Sequence, residues 1–179
     1  TQDAKLELEV GLRYDYIYQQ VYKWLNRRYI APEFVYNNFS GSIGAIYKPT
    51  ETLTARINYG NAWRPPNVSE LFSDGVHHGA AAVEIGDTNL VAEKAHNTIL
   101  GVDFVNDNWL IQTEVYYNHI NNFIYLKPSL PATLTIRGAF PTFRYEQVNA
   151  AFTGIDFKAA YRIFKFLSWK GKASFLRAY

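Results

Sequence analysis

Leu6, Leu8, Val10, Leu12, Tyr14 and Tyr16 occupy every second position of the chain's first segment, with Lys5, Glu7, Glu9, Gly11, Arg13 and Asp15 between them. Side chains alternate between the two faces of a β-strand, so this stretch presents one apolar and one polar side only if it is extended. The same period of two returns in Phe39, Ile43, Ala45 and Tyr47, in Leu53, Ala55, Ile57 and Tyr59, and in Thr98, Leu100, Val102 and Phe104. Trp109, Ile111, Thr113, Val115 and Tyr117 form a further set, and Ile155, Phe157, Ala159 and Tyr161 another. Leu167, Trp169, Ala173 and Phe175 complete the series. No stretch carries a helical period of comparable length, so the chain is expected to be all-β.

The connections alternate in length. "KPTE", "NDN" and "RIFKF" are short, whereas 17–38, 61–94 and 121–147 are long. Short ends on one side and long ends on the other describe an antiparallel meander. Aromatic residues make up 17% of the chain and gather at strand ends: Tyr14, Tyr16, Tyr18, Tyr47, Tyr59, Trp63, Trp109, Tyr161 and Trp169. Loop asymmetry, strands of membrane-crossing length and aromatic ends together match a transmembrane β-barrel whose apolar stripes face lipid. A soluble β-sandwich or barrel, with the same stripes turned inward, remains the alternative that alternation alone leaves open. Roughly seven strands are visible, while single-chain bacterial barrels close with an even number from about eight upward. The chain is therefore expected to be part of a larger barrel, with strands missing before Thr1 and after Tyr179. The absence of Met, even at position 1, fits a processed or excised piece.

Charge and composition exclude other classes. The net charge of +2, from 18 Lys and Arg against 16 Asp and Glu, lacks the basic excess that nucleic-acid binding requires. With no cysteine there is no disulfide framework and no thiolate chemistry. No apolar run approaches a membrane helix, and the residues from Thr1 onward are not patterned as a charged-then-apolar leader. Catalytic motifs of the nucleophile-elbow, phosphate-loop or helix-borne zinc type are absent, so the chain is not read as an enzyme and no intrinsic cofactor is expected.

The segment from Trp63 to Lys94 is too long and too mixed for a turn. Pro65 and Pro66 cannot donate to a strand ladder and end the strand, and Gly75, Gly79 and Gly86 permit bends beyond it. "WRPPNVSELF" resembles the Phe-Arg-Ala-Pro box of TonB-dependent outer-membrane receptors, carried here by Trp63, Arg64, Pro65, Pro66, Asn67, Glu70 and Leu71. "GDTNLVAEKA" is similar to the same family's Asn-Pro-Asn-Leu box, carried by Asp87, Asn89, Leu90 and Glu93. Trp63 stands where the family has Phe, and Thr88 where Pro is common. "NAAFTGIDFKAAY" resembles a late strand of that family. The resemblance implies that residues 1–179 are part of a barrel of about 22 strands, with the plug domain and terminal strands absent. It also implies an outer-membrane location in a Gram-negative bacterium and active import of a scarce ligand: siderophore-bound iron, haem, a metal ion such as zinc, or vitamin B12. The implied partners are outer-membrane lipid and a TonB–ExbB–ExbD motor acting through the plug. A passive porin-like or structural barrel, and a soluble ligand-binding domain, are the competing readings.

His77 and His78 sit in the excursion between the two boxes, near Glu70, Asp74 and Glu84. Imidazole and carboxylate are ligands for borderline metals, and an imidazole also serves as an axial haem ligand. His77, His78 and Glu84 are the candidate ligand-binding residues, and His77 and His78 the candidate metal ligands. Solvated loop histidines are the ordinary alternative, because a metal site needs several converging groups. The charged stripe, including Lys5, Glu7, Glu9, Arg13, Asp15, Arg56, Glu114, Asp156, Lys158, Lys170 and Lys172, is expected to line a watery lumen or to face a plug. Tyr22, Trp24, Tyr29 and Phe34 in one long connection, and Phe140, Phe143 and Tyr145 in another, either stack on a planar ligand or fold the loops.

Overall fold

The computed structural model describes residues 5–25 and 28–179. In chain order its strands are β1 (Leu6–Gln20), β2 (Lys23–Leu25), β3 (Arg28–Ile30), β4 (Glu33–Tyr47), β5 (Leu53–Arg64), β6 (Asp74–His77), β7 (Ala82–Ile85), β8 (Glu93–Val105), β9 (Trp109–Thr135), β10 (Gly138–Phe164) and β11 (Leu167–Ala178). One short helix, α1 (Val68–Phe72), lies between β5 and β6. β1, β4, β5, β8, β9, β10 and β11 pair in that order, each antiparallel to the next. They are the seven segments whose alternation the sequence displays.

Register carries the alternation across the whole sheet. Leu8 lies opposite Ala45, Ala45 opposite Ile57, Ile57 opposite Leu100, Leu100 opposite Val115, Val115 opposite Ile155, and Ile155 opposite Phe175. Every strand thus contributes an apolar residue to one row on one face. The opposite face carries Glu7, Ile46, Arg56, Gly101, Glu114, Asp156 and Ser174 in the neighbouring row. A one-residue slip anywhere would exchange the two faces, so the pattern fixes the register. No second layer covers the apolar face among the described residues: Leu8 is 68% exposed, Val10 79% and Leu12 80%. The sealed interior that the soluble alternative requires is absent among these residues, and the exposed apolar band is that of a membrane barrel wall. Trp109 packs on Tyr161 at 4.3 Å near the short turns, and Tyr14 on Phe39 at 4.9 Å near the other end, so rings mark both borders of the band.

Two of the three long connections are more regular than their sequence suggests. The segment 17–38 continues β1 and β4 as paired strands, Ile17 opposite Tyr36 and Gln20 opposite Glu33, topped by the β2–β3 hairpin. The segment 121–147 is likewise the outer part of β9 and β10, which run 27 residues each and meet at Ile136 and Arg137. About ten residues suffice to cross a bilayer as a tilted strand, so this hairpin projects far beyond the band. Segment 61–94 is the irregular one. It folds back so that β6 pairs β7, and β7 lies parallel to the outer part of β10, Glu84 opposite Phe143.

Candidate functional site

Both family-like boxes converge at the base of the 61–94 excursion. Arg64, at the end of β5, donates from Nε to Glu93 Oε2 at 2.8 Å and from Nη1 to both oxygens of Glu70, at 2.8 and 3.0 Å. Glu70 Oε2 also accepts the Asn67 N–H at 2.7 Å at the start of α1, and Glu93 Oε1 accepts the Ile124 N–H of β9 at 2.5 Å. The Glu93 hydrogen bond, followed by those to Glu70, raises the Arg64 pKa above its ordinary value against the desolvation that lowers it. Charge-assisted bonds of this kind are the strong ones. One guanidinium therefore joins the end of β5, the helix, the start of β8 and, through Glu93, β9.

The remaining box residues complete the knot. Asp87 donates its N–H to Glu70 O at 2.9 Å, and its carboxylate accepts both the Asn89 backbone and side-chain amides at 2.8 and 2.9 Å. Leu71, Leu90 and Ile124 form a buried cluster against which Phe34, Phe72 and Tyr145 pack. Pro66 is buried beside it, while Pro65 is half-buried. A Cβ on Gly86 would lie 2.7 Å from the Leu71 carbonyl carbon and the Phe72 nitrogen, so only glycine lets the chain just after β7 pass the helix so closely. Trp63 donates from Nε1 to Asp15 Oδ2 at 3.1 Å, tying β5 to β1 above the point where the β4–β5 ladder ends at Gly41 and Asn61.

His77 and His78 are not brought together as ligands. His77 ends β6 with its Nδ1 3.3 Å from Glu84 Oε1, whereas His78 lies exposed in the turn 78–81. Tyr145 reaches over from β10 and donates its hydroxyl to Glu84 Oε2 at 3.3 Å. Burial first, and the Glu84 carboxylate next, push the Tyr145 phenol above its ordinary pKa. Among the described residues no group of three or more His, Cys, Asp or Glu is gathered for a metal. What the fold offers a captured ion or planar ligand here is one imidazole, one carboxylate and one phenol. The aromatic residues of the first long connection mostly serve packing: Phe34 meets Phe72 at 5.9 Å, and Tyr29 lies between Tyr22 and Trp24 at 6.0 and 5.8 Å.

The polar face carries a concave wall. Gly11, Ser40, Ser42, Asn58, Gly60 and Asn97 contribute to a cavity of about 600 Å³. Nearer the short turns Arg56 pairs with Asp103 and, at 3.5 Å, with Glu114, while Gln112 binds Asp103 and accepts from Lys158. The hydroxyl end of Tyr116 lies against Gly154, where any Cβ would fall 2.2 Å from its ring. Several residues that position the site carry no motif. Gln147 clips the excursion to β10, accepting from Val91 N–H at 3.0 Å and donating to Val91 O at 2.8 Å. Lys23 donates to Phe72 O at 2.7 Å and lies over that ring. A side chain that bonds backbone atoms leaves no sequence signal beyond its own polarity.

Comparison with known proteins gives a consistent picture. A family described as TonB dependent receptor-like, beta-barrel matches residues 2–179. No curated protein sequence matches the chain. Among solved structures, the copper transporter OprC superposes with a TM-score of 0.71 at 20% identity, covering 98% of this chain and 27% of its own. The siderophore receptor PirA from Pseudomonas aeruginosa gives 0.66 at 19% identity, covering 94% and 34%. The Serratia marcescens hemophore receptor HasR, solved with its hemophore HasA and heme, gives 0.63 at 16% identity, covering 89% and 30%. The chain thus spans about a third or less of each of these structures, and at such identities the likeness is one of fold.

Proposed function

The chain belongs to the TonB-dependent receptor-like β-barrel family, a family of transport receptors rather than enzymes, and on that premise we propose that it forms barrel wall and ligand-gathering surface of an outer-membrane importer in a Gram-negative bacterium. The importer takes up a scarce ligand, whether siderophore-bound iron, haem, a metal ion or vitamin B12. Energy reaches it from a TonB–ExbB–ExbD complex acting on a plug domain outside residues 1–179. The observation that supports this reading most is a combination: an apolar row unbroken across seven strands, and a folded, ion-clamped excursion at the end opposite the short turns. The first is the pattern that a wall facing lipid requires. The second presents side chains at the barrel mouth without leaving the segment a mobile loop.

Within that mouth His77, Glu84 and Tyr145 are the groups positioned to meet a ligand, and His78 stands beside them in the turn. In the intact receptor, His77→Ala with His78→Ala is expected to weaken capture while leaving barrel assembly unchanged. Uptake of haem, zinc and ferric siderophores by cells carrying the variant is the test. Unaltered uptake of all three would remove the histidines from the ligand path. Uptake that persists undiminished without TonB would make the protein a passive pore instead.

A further inference from the structure

The chain's other two histidines lie outside the excursion, and the β8–β9 ladder places them at opposed positions. His96 on β8 and His119 on β9 are direct cross-strand partners, with Asn61 of β5 on the far side of His96 and Ala151 of β10 on the far side of His119. They share the face of Leu100 and Val115, because the β8–β9 register runs without a shift from Val105 to Lys94. Tyr59, Thr98 and Tyr117 form the next row toward the membrane band. The histidine pair therefore sits on the outer surface of the barrel, just beyond the aromatic border, and both side chains are half-exposed.

We propose that His96 and His119 form a two-imidazole binding site for a borderline first-row divalent cation such as Cu²⁺ or Zn²⁺ on the outer rim of the barrel. Directly opposed residues on antiparallel strands hold their Cβ atoms about 5 Å apart, a span from which two imidazoles reach one ion at bonds of about 2 Å. The second observation is the state of each ring. His119 Nε2 lies 3.1 Å from Asn121 Oδ1, which leaves Nδ1 with its lone pair when Nε2 donates. His96 Nδ1 lies 2.9 Å from the Tyr59 hydroxyl, which leaves Nε2 as the ligating nitrogen when Nδ1 donates. A ligating imidazole ordinarily has its other nitrogen bonded to such an outer partner, which fixes ring and tautomer. Imidazole ligands select copper, zinc and nickel over calcium and magnesium. With no third His, Cys, Asp or Glu gathered there among the described residues, water completes the coordination shell. The site is separate from His77 and His78 and does not depend on their role in capture.

The test uses the intact receptor in detergent, titrated with Cu²⁺ and followed by electron paramagnetic resonance. His96→Gln and His119→Gln are each expected to lower affinity for one Cu²⁺ by roughly tenfold or more, the order seen when metal-orienting groups are lost, and to remove nitrogen hyperfine structure. His77→Ala with His78→Ala is expected to leave that site intact. In the unaltered receptor, Zn²⁺ should protect His96 and His119 together from carbethoxylation, a readout that needs no variant to assemble. Unchanged Cu²⁺ affinity in both single variants, loss confined to the His77 and His78 variant, or absence of Zn²⁺ protection at His96 and His119 would each overturn the proposal.

Discussion

Arg64 Nε and Glu93 Oε2 lie 2.8 Å apart although 29 positions separate them in the chain, and their bond closes the excursion at its root. Because Arg64 also holds Glu70, its loss leaves two carboxylates, each mostly shielded from water, without their cation. Arg64→Ala is expected to cost about 2–3 kcal/mol, the scale of hydrogen bonds to charged groups. Local opening should precede global unfolding. Proteolysis within 65–92 should accelerate in the variant while the heat-modifiable mobility of the assembled barrel persists. Arg64→Lys, which cannot reach both carboxylates with a fork, should fall between the two.

Gly86 tests the same knot from its packing side. Gly86→Ala drives a methyl group against the α1 backbone and is expected to cost about 1–3 kcal/mol by overpacking. Gly79→Ala, whose new carbon would lie 3.8 Å from the His77 ring, should be silent. Hydrogen exchange of the Leu71 and Ser73 amides, both bonded within α1, reports the difference.

Neighbouring residues on β11 should respond in opposite ways to the same change. Phe175 lies in the apolar row and Ser174 in the polar row beside Asp156. Phe175→Arg is expected to cost about 2–4 kcal/mol near the bilayer midplane, whereas Ser174→Arg, facing the lumen, should leave stability nearly unchanged. Urea-driven unfolding in lipid vesicles measures both.

Tyr145 gives a pH signature. Burial, then the Glu84 carboxylate, raises its folded pKa above that of a free phenol. A raised folded pKa means that the stabilisation it brings is intact below about pH 10 and lost as pH rises through the folded value. Ultraviolet titration should find Tyr145 ionising above the range of a free phenol, with Glu84→Gln moving it part of the way back.

What the sequence discloses ends where the membrane does. Inside the band one face must be apolar, so Leu8, Ile57, Leu100 and Val115 announce both strand and register. Above it both faces meet water, and Gln19, Gln20 and Glu33 sit in paired strands with no alternation to betray them. At Asn121, Asn122 and Asn149 the β9–β10 register shifts, Asn122 adopts a positive φ of 57°, and its N–H donates to Asn149 Oδ1. That irregularity moves the period by one residue and makes the outer hairpin read as a loop. The box residues were legible as a group. Their use, an ion clamp on Arg64, follows only from tertiary contact, as does the part played by Gln147 and Tyr145. The apposition of His96 and His119, 23 positions apart in number, emerges only once register is known.

The most direct test of the account is the accessibility of successive positions on one strand. Single cysteines, introduced from Gln112 to Tyr117 in the assembled receptor and spin-labelled, should alternate. Labels at Thr113, Val115 and Tyr117 should collide with oxygen dissolved in the bilayer, and those at Gln112, Glu114 and Tyr116 should not. A uniform profile, or shielding of the apolar set from both lipid and water, would contradict a barrel wall in the outer membrane.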